Sequence, residues 1–390
     1  MARLSLTVRG KSHPWPLPAN AGDQQSTWAT PENVEGFRGC RSPHPAADHF
    51  IHSLLKHGWK RATLTAICGG GLSLLAALAG AAETGSRPPV GPEQNWIEGL
   101  VSGFRAAAEG LEWSDERVVG DWRVQRRAGD PAAEGRILDA DDRVVCTGDL
   151  ADCLTRFERL QSQNQIPAIT GEAVFVLHGL GENRQAMRPL VEHLQTGLDA
   201  TVMTFGYASP RAGLAAHAGS LARVLTGLPD VTAVSFVGHS MGNLVVRRWL
   251  EMADPQTVTR VRRMVMLGPP NQGSDLARLA AGNSLLTALA AGAGRELVLH
   301  WETIAQQLRT PDFEYGIIAG GKGDDRGFTV LLEGDDDAVV RVAETRLEGA
   351  DDFLVLPVRH SRMMRHPDVQ AATLRFLREG RFVEGGEPEE

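Results

Sequence analysis

The pentapeptide GHSMG at residues 238–242 is the part of the sequence best suited to chemistry. It fits the pattern G-x-S-x-G, follows the apolar, β-branched run 231–237, and precedes apolar residues at helical spacing over 244–250. A serine on a tight turn between a strand and a helix presents its hydroxyl to a substrate, and the next N–H can bind an oxyanion. The sequence therefore predicts Ser240 as a nucleophile and Met241 as an oxyanion donor; the alternative is a serine in an ordinary βα turn.

A second glycine-rich turn lies upstream of this serine. The apolar run 173–177 reads as a strand and is followed by HGLG at 178–181. An oxyanion hole needs two N–H donors, and the second comes from the loop after an earlier strand. The glycines let the backbone approach a substrate, so Leu180 is predicted to donate its N–H. His178 is predicted to be structural.

A serine hydroxyl needs a base, and the base needs a residue that orients it. In a strand–elbow–helix architecture both follow the serine in the chain. His360 ends the strand-like run 353–360 and precedes a predicted helix over 363–377, so it is the favoured base. His366 is its rival, whereas His239 is too close in sequence to the serine to act as its base.

The acid is expected at the end of a late strand. Residues 315–320 and 328–332 both read as strands, and an acidic triplet follows the second of them. Asp335, Asp336 and Asp337 compete for the role, because a cluster of carboxylates in a loop is usually a solvated turn.

The elements around these residues alternate between strands and helices. Helices are predicted over 188–195 and 212–225, and strands over 200–205 and 261–267. Together with the two strands that precede the glycine turns, this alternation predicts an α/β fold with a mostly parallel central sheet covered by helices on both faces.

The ordered motifs resemble the α/β-hydrolase superfamily, specifically its bacterial lipase and esterase branch, which is triacylglycerol-lipase-like. The resemblance rests on HGLG at 178–181, GHSMG at 238–242, LGPPNQGS at 267–274, and the end of the chain that carries Asp337 and His360. It covers about residues 170–380 and implies a helical cap or lid over 275–310.

The resemblance also narrows the choice of acid. In the family the acid stands in a D-G-x-V pattern, and DAVV at 337–340 matches it with Ala338 in place of glycine. By this likeness Asp337 orients His360, Ser240 is the nucleophile, and Asp336 is the reserve acid.

The expected function is a serine hydrolase that cleaves carboxylic esters, of acyl or lipid type, through an acyl-enzyme. The alternatives are a thioesterase, amidase or acyltransferase with the same triad, or a non-catalytic binding protein on the same fold. The net charge of −8 and the lack of a long basic run argue against nucleic acid as a partner. The sequence contains no H-E-x-x-H and no C-x-x-C, so no metal or other cofactor is expected.

A segment in the N-terminal part of the sequence predicts that the protein is exported or anchored in a membrane. Residues 62–82 carry no charge and would span roughly 30 Å as a helix, which is enough for a bilayer core. Lys56, Lys60 and Arg61 precede them, so the positive-inside rule places the following chain outside the cytoplasm. The segment is either a single-pass transmembrane anchor or a cleaved signal, since A-x-A sites lie near its end.

The full division predicted from the sequence has six parts. These are a disordered or cytoplasmic extension at 1–61, the hydrophobic segment at 62–82, a linker at 83–95, a small α+β preface at 96–165, the catalytic domain at 166–380 and a disordered tail at 381–390. If the chain is exported, Cys146 and Cys153 could pair as a disulfide; two free thiols are the equal alternative.

Overall fold

The computed structural model describes residues 111–129, 132–276 and 292–383. The predictions for the N-terminal extension, the apolar segment 62–82, the linker 83–95 and residues 96–110 of the preface lie outside these residues, as do residues 277–291 of the predicted cap and 384–390 of the predicted tail. Within the described ranges, no helix combines the length and apolar character needed to cross a bilayer.

In the described residues of the preface, four strands form an antiparallel sheet and one helix packs on it. Asp149 caps this helix, because its side chain accepts a hydrogen bond of 2.8 Å from Ala151 N–H. The residue pattern predicts a hairpin over 135–146 and a helix over 149–163, and both are confirmed. It also predicts a strand over 118–124, which is instead a hairpin that turns at Gly120, where φ is +61°. The elements are β1 Trp113–Val119, β2 Trp122–Arg127, β3 Glu134–Leu138, β4 Val144–Asp149 and α1 Leu150–Ser162.

The cysteines of the preface are free thiols. The Sγ atoms of Cys146 and Cys153 lie 3.9 Å apart without a disulfide bond. Burial, together with the contact to Cys146, raises the pKa of the Cys153 thiol to about 11. Of the two alternatives left open by the sequence, the structure shows the thiol form.

The central sheet has six strands, all parallel, in the order β10-β9-β8-β7-β5-β6. The strand that leads to the serine, β7, lies inside the sheet between β5 and β8, and its last six residues are buried. The predicted parallel sheet is therefore confirmed. Its strands are β5 Gly171–Leu177, β6 Thr201–Phe205, β7 Val231–His239, β8 Val261–Leu267, β9 Glu314–Gly320 and β10 Asp352–Leu356.

Helices cover both faces of this sheet, as predicted. The main ones are α2 Arg188–Gly197, α3 Leu214–Thr226, α4 Met241–Met252 and α9 Pro367–Glu379, and the short ones are α5 Pro255–Val258, α6 Gly292–Leu299, α7 Trp301–Ala305 and α8 Val342–Thr345. Successive side chains of each strand point to opposite faces of the sheet, so the sheet separates two apolar cores. One core contains side chains of α2 and α9, and the other contains side chains of α3, α4 and the preface.

A buried ion pair joins the preface to the active-site end of the sheet. The Asp115 carboxylate accepts hydrogen bonds from Arg123 (2.9 Å), from the Gln125 amide (2.8 Å) and from Gly206 N–H, just past β6 (2.7 Å). Asp115 and Arg123 are fully buried, so the pair depends on these extra hydrogen bonds to offset desolvation. The preface and the central sheet therefore share one core rather than merely touching.

Three predicted elements in the C-terminal part are wrong in detail. Residues 328–332 form a loop rather than a strand, because Asp336 accepts hydrogen bonds from the N–H groups of Phe328 and Thr329. The last strand ends at Leu356, before Pro357, so His360 does not end it. The predicted helix 363–377 is a 3₁₀ helix, His360–Arg365, followed by α9, which begins at Pro367.

Candidate active site

Ser240 sits on a strained turn between β7 and α4. Its φ of 51° and ψ of −122° lie outside the regions that a residue with a side chain prefers, at a cost of about 1–3 kcal/mol. Two hydrogen bonds hold the turn: Ser240 N–H donates to Leu267 O (2.8 Å), and the Asn243 amide donates to Ser240 O (3.0 Å). The half-buried Ser240 is thus held at the C-terminal edge of the sheet, as a nucleophile elbow requires.

The two glycines of the pentapeptide are required by close packing. A Cβ on Gly242 would lie 2.8 Å from the carbonyl oxygens of Leu177 and His178, which end β5. A Cβ on Gly238 would lie 2.3 Å from the side-chain oxygen of Asn243. Any larger residue would push the elbow away from the neighbouring turn.

The glycine turn after β5 lies against the serine. A Cβ on Gly179 would come within 3.1 Å of the Ser240 Cβ. The N–H of Gly179 donates to Glu182 (2.8 Å) and that of Gly181 donates to the Ser209 hydroxyl (3.0 Å). Between them, the N–H of Leu180 has no acceptor among the described residues.

Met241 offers the second donor. It is the first residue of α4, where a backbone N–H has no acceptor within its own helix. Neither this N–H nor that of Leu180 has an acceptor among the described residues. These are the two groups that the sequence predicts as oxyanion donors, and that role stays a prediction.

His178 is fully buried and helps to hold the glycine turn after β5 in place. Its ring stacks on Tyr207, with centroids 4.1 Å apart, and its Nε2 accepts a hydrogen bond from Tyr207 N–H (3.3 Å). The Tyr207 hydroxyl donates to the His178 carbonyl. Burial lowers the pKa of His178, which fits a neutral ring that accepts at Nε2.

Asp337 and His360 form a buried pair. The Oδ2 of Asp337 lies 2.6 Å from Nδ1 of His360, and its Oδ1 accepts from the N–H groups of Val339 (2.9 Å) and Val340 (2.7 Å). The main chains are joined too, since His360 N–H donates to Asp337 O (2.9 Å). Ala338 has a φ of 82°, a conformation that favours glycine and matches the glycine of the family pattern at this position.

The surroundings of His360 favour its protonated form. Burial alone would lower the pKa of His360, but the charge and hydrogen bond of Asp337, with a smaller effect of Glu182, outweigh it and raise the pKa. No hydrogen bond joins the Ser240 hydroxyl to His360 or to another described residue. The Nε2 of His360 likewise has no partner there.

The other two acids of the triplet have different roles. Asp336 is buried and accepts hydrogen bonds from the N–H groups of Phe328, Thr329 and Ala338. Burial raises its pKa in spite of these bonds. Asp335 accepts from two N–H groups of a neighbouring loop. Only Asp337 of the three faces His360.

His366, the rival base, lies at the cap of α9. Its Nδ1 is 3.9 Å from Asp368, and its N–H donates to Met363 O. It contacts none of the three acids of the triplet within the described part of the chain.

A second carboxylate–histidine pair, which the sequence did not predict, lies beside the first. The Oε2 of Glu182 is 2.9 Å from Nδ1 of His239 and also accepts from Gly179 N–H. The Nε2 of His239 faces the carbonyl oxygen of His360 (3.2 Å), and the two rings lie 4.6 Å apart. The only sequence signal was the place of Glu182 directly after HGLG.

Glu182 is strongly acidic in this setting. Burial would raise its pKa, but the charge and hydrogen bond of His239 and the N–H of Gly179 lower it to about 2. Glu182 therefore links the glycine turn, the serine elbow and, through His239, the loop that carries His360. Elsewhere in the described ranges, no three His, Cys, Asp or Glu side chains are arranged to hold a metal ion.

Comparisons with known proteins agree with this architecture. A family model described as alpha/beta hydrolase fold matches residues 172–313. No curated protein matches the sequence.

Several solved structures are similar to this chain. One is the mature lipase BlEst2 of Bacillus licheniformis, which is 18% identical with a TM-score of 0.44; the match covers 55% of this chain and 93% of that one. The phospholipase PlaB of Legionella pneumophila in complex with thio-NAD is 19% identical (TM-score 0.43, covering 54% of this chain and 59% of that one). The lin2722 gene product of Listeria innocua is 17% identical (TM-score 0.39, covering 54% and 94%).

The family model spans both the glycine turn and the serine elbow, and the parallel sheet carries them at the strand ends where this fold places its site. The central sheet and the helices that cover it have the α/β-hydrolase fold.

Proposed function

We propose that this protein is a serine hydrolase of carboxylic esters, with Ser240 as nucleophile, His360 as general base and Asp337 as the residue that orients the base. Leu180 and Met241 supply the oxyanion N–H groups. The observation that carries the proposal is the buried Asp337–His360 pair at 2.6 Å, on the same edge of the sheet as a strained serine.

In this mechanism, the Ser240 Oγ attacks the ester carbonyl carbon while its proton passes to Nε2 of His360. The carbonyl oxygen becomes an oxyanion that accepts hydrogen bonds from Leu180 and Met241. The C–O bond to the alcohol then breaks, and His360 returns the proton to the departing alcohol. Water repeats these steps on the acyl-enzyme, releasing the acid and restoring Ser240.

The substrates we propose are acyl or lipid esters. The described part of the cap supports this, because α6 packs on the turn that holds Leu180. A Cβ on Gly294 of this helix would lie 3.0 Å from the Leu180 side chain. Glu296 fixes the helix in place by accepting from Leu214 N–H (2.8 Å), at the start of α3. An apolar residue at the oxyanion turn, covered by a helix, suits the binding of an acyl chain beside the serine.

The test is fluorophosphonate labelling of the full-length chain in detergent, with the labelled residue mapped by mass spectrometry. We expect label on Ser240, and loss of label in Ser240→Ala and His360→Ala. Ser162→Ala, on the exposed surface of α1, is the matched control and should label normally. A folded wild-type protein that takes no label and releases no 4-nitrophenol from acyl esters would refute the proposal and favour a binding protein on this fold.

The same preparation separates the enzyme alternatives. We expect 4-nitrophenyl esters to be cleaved faster than matched acyl thioesters and anilides, and water to be preferred over added alcohols as acceptor. A reversed order would assign the triad to a thioesterase, an amidase or an acyltransferase.

We also propose that the catalytic part acts outside the cytoplasm, exported or anchored through residues 62–82. The support is their lack of charge and the basic residues Lys56, Lys60 and Arg61 before them. A reporter fused after residue 390 should be active only outside the cytoplasm, and deletion of 62–82 should retain it inside.

A further inference from the structure

A cavity of about 250 Å³ lies beside the proposed site and has no role in the mechanism above. Glu182, which contacts the glycine turn and the elbow, forms one wall, and Ser361, directly after His360, forms another. The cavity therefore borders the site on the side of the base. The full lining is Glu182, Ala186, Ser361, Arg362, Met364 and Arg365.

The two arginines of the lining are placed together by the 3₁₀ helix His360–Arg365. In a 3₁₀ helix, residues three apart in sequence stand on the same side, so Arg362 and Arg365 project in the same direction. Both are exposed, and neither guanidinium has an ion pair or hydrogen bond with any described residue.

Exposed arginines elsewhere in the described chain include both paired and unpaired side chains, so the distinguishing feature of Arg362 and Arg365 is that both line one cavity. The chain has a net charge of −8, and several of its other arginines are paired, such as Arg263 with Glu314 and Arg341 with Asp275. Two like charges without a counter-ion repel each other, and an anion placed between them would relieve that repulsion.

The one acid in the lining, Glu182, is ionised, but one of its oxygens is already engaged by other groups of the protein. Glu182 uses its Oε2 for Gly179 N–H and for the His239 ring. The hydroxyl of Ser361 adds a further donor to the two guanidinium groups. The cavity is thus rich in donors, and its charge is dominated by arginine, the side chain that best binds carboxylate and phosphate.

The size of the cavity decides what it can hold. Sites for whole drug-sized ligands occupy roughly 300–1,000 Å³ and are mostly apolar. A smaller and polar space suits a single anionic group rather than an acyl chain.

We propose that Arg362 and Arg365 bind an anionic group of the ester substrate, a carboxylate or phosphate, and so align its carbonyl with Ser240. This inference rests on the proposed ester hydrolysis and names the substrate class as anionic esters.

The experiment compares matched esters that differ in one negative charge. One pair is 4-nitrophenyl butyrate and mono-4-nitrophenyl succinate, with the charge on the acyl side. The other is a monoacylglycerol and its 3-phosphate, with the charge on the alcohol side. The variant is Arg362→Gln/Arg365→Gln, and the matched control is Arg156→Gln/Arg378→Gln, two exposed arginines outside the cavity lining.

We expect the Arg362→Gln/Arg365→Gln variant to lose about tenfold or more in kcat/KM for the charged ester of at least one pair, because charge-assisted hydrogen bonds are lost. The neutral ester should change less than about twofold, and the control variant should match wild type on all four esters. The pair that responds shows whether the anion lies on the acyl or the alcohol side. Equal ratios of charged to neutral ester in wild type and variant would overturn the inference.

A direct measurement separates this inference from the proposed function. Inorganic phosphate should raise the Tm of wild type and of the control variant but not of Arg362→Gln/Arg365→Gln. If wild type cleaves no ester, the proposed function fails. The Tm measurements then test on their own whether the cavity binds an anion. No phosphate-dependent rise in wild type would then overturn the anion site.

Discussion

Two carboxylate–histidine pairs lie side by side in this molecule, and they differ in what the second ring nitrogen faces. In the Asp337–His360 pair, Nδ1 meets the acid at 2.6 Å and Nε2 has no partner among the described residues. In the Glu182–His239 pair, Nδ1 meets the acid at 2.9 Å, while Nε2 faces the carbonyl oxygen of His360 at 3.2 Å. The rings themselves are only 4.6 Å apart.

This difference distinguishes His360, the histidine that we propose as the base, from His239, which holds neighbouring loops in place. Both nitrogens of His239 already lie against oxygen atoms of the protein, the Glu182 carboxylate and the His360 carbonyl. Neither nitrogen is therefore open to the hydroxyl of a serine. A neutral His360, by contrast, keeps a lone pair on Nε2. An acid partner therefore does not by itself distinguish the two histidines; the second nitrogen, which has no partner among the described residues, favours His360 as the proposed base.

The largest effect is expected for His360→Ala, which removes the histidine that we propose as the base. We expect kcat for 4-nitrophenyl butyrate to fall by about 10⁴-fold or more, since the triad acts as a unit. His366→Ala is the control and should retain wild-type kcat. Residual activity within tenfold of wild type would show that another group acts as base.

Asp337→Asn should be the next largest change, at about 10³- to 10⁴-fold in kcat, because the amide no longer holds the required tautomer. The pH profile sharpens this test. The pKa of His360 is raised above its ordinary 6.5, and the base must be neutral, so wild-type activity should fall as the pH drops through a value above 6.5.

In Asp337→Asn the main effects that raise the pKa of His360 are lost, while burial, which lowers it, and the smaller effect of Glu182 remain. The acidic limb of the pH profile of kcat/KM should therefore move to lower pH. A limb that stays in place would assign it to a group other than His360.

Glu182→Gln tests the supporting pair. The neutral amide is a weaker acceptor than the carboxylate for His239 and for the N–H of Gly179, so both the loop that carries His360 and the glycine turn should be held less firmly. We expect kcat to fall by about 10- to 100-fold with the KM of a neutral ester little changed, the size of effect that a small misplacement causes. Glu192→Gln, an exposed acid on α2 paired with Arg188, is the control. An equal effect in both variants would contradict the positioning role.

The smallest effect on catalysis is expected for Asp336→Asn, although its neighbour is the proposed catalytic acid. Asp336 holds three backbone N–H groups and does not face His360. Its amide would turn a donor toward those donors, so Tm should fall by a few degrees while kcat stays within about threefold. A loss of kcat as large as that of Asp337→Asn would reopen the choice of acid.

The sequence predicted those parts of the molecule whose signals are local. The strand β7, the elbow at Ser240 and the helix α4 follow from one continuous pattern, and the parallel sheet follows from its repetition. The wrong prediction of a strand over 328–332 also came from a local pattern. It is apolar and β-branched, but its N–H groups bond to Asp336 instead of a neighbouring strand, and Val330 is 99% exposed.

Contacts between distant loops were beyond the sequence. The Glu182–His239 pair joins residues 57 apart, and the His239–His360 contact joins residues 121 apart. Contacts between residues so far apart leave no periodic pattern in the sequence. Among the three acids, only the family pattern singled out Asp337, because spacing alone does not show which carboxylate turns inward.

The boundary predicted at residue 165 has a practical meaning once the ion pair of Asp115 and Arg123 is considered. Asp115 holds Gly206, whose neighbour Tyr207 stacks on His178 beneath the oxyanion turn. A fragment trimmed to begin at residue 166 would lose that connection and bare the apolar face that the preface covers. For expression, crystallisation or directed evolution, the shortest useful unit includes the preface.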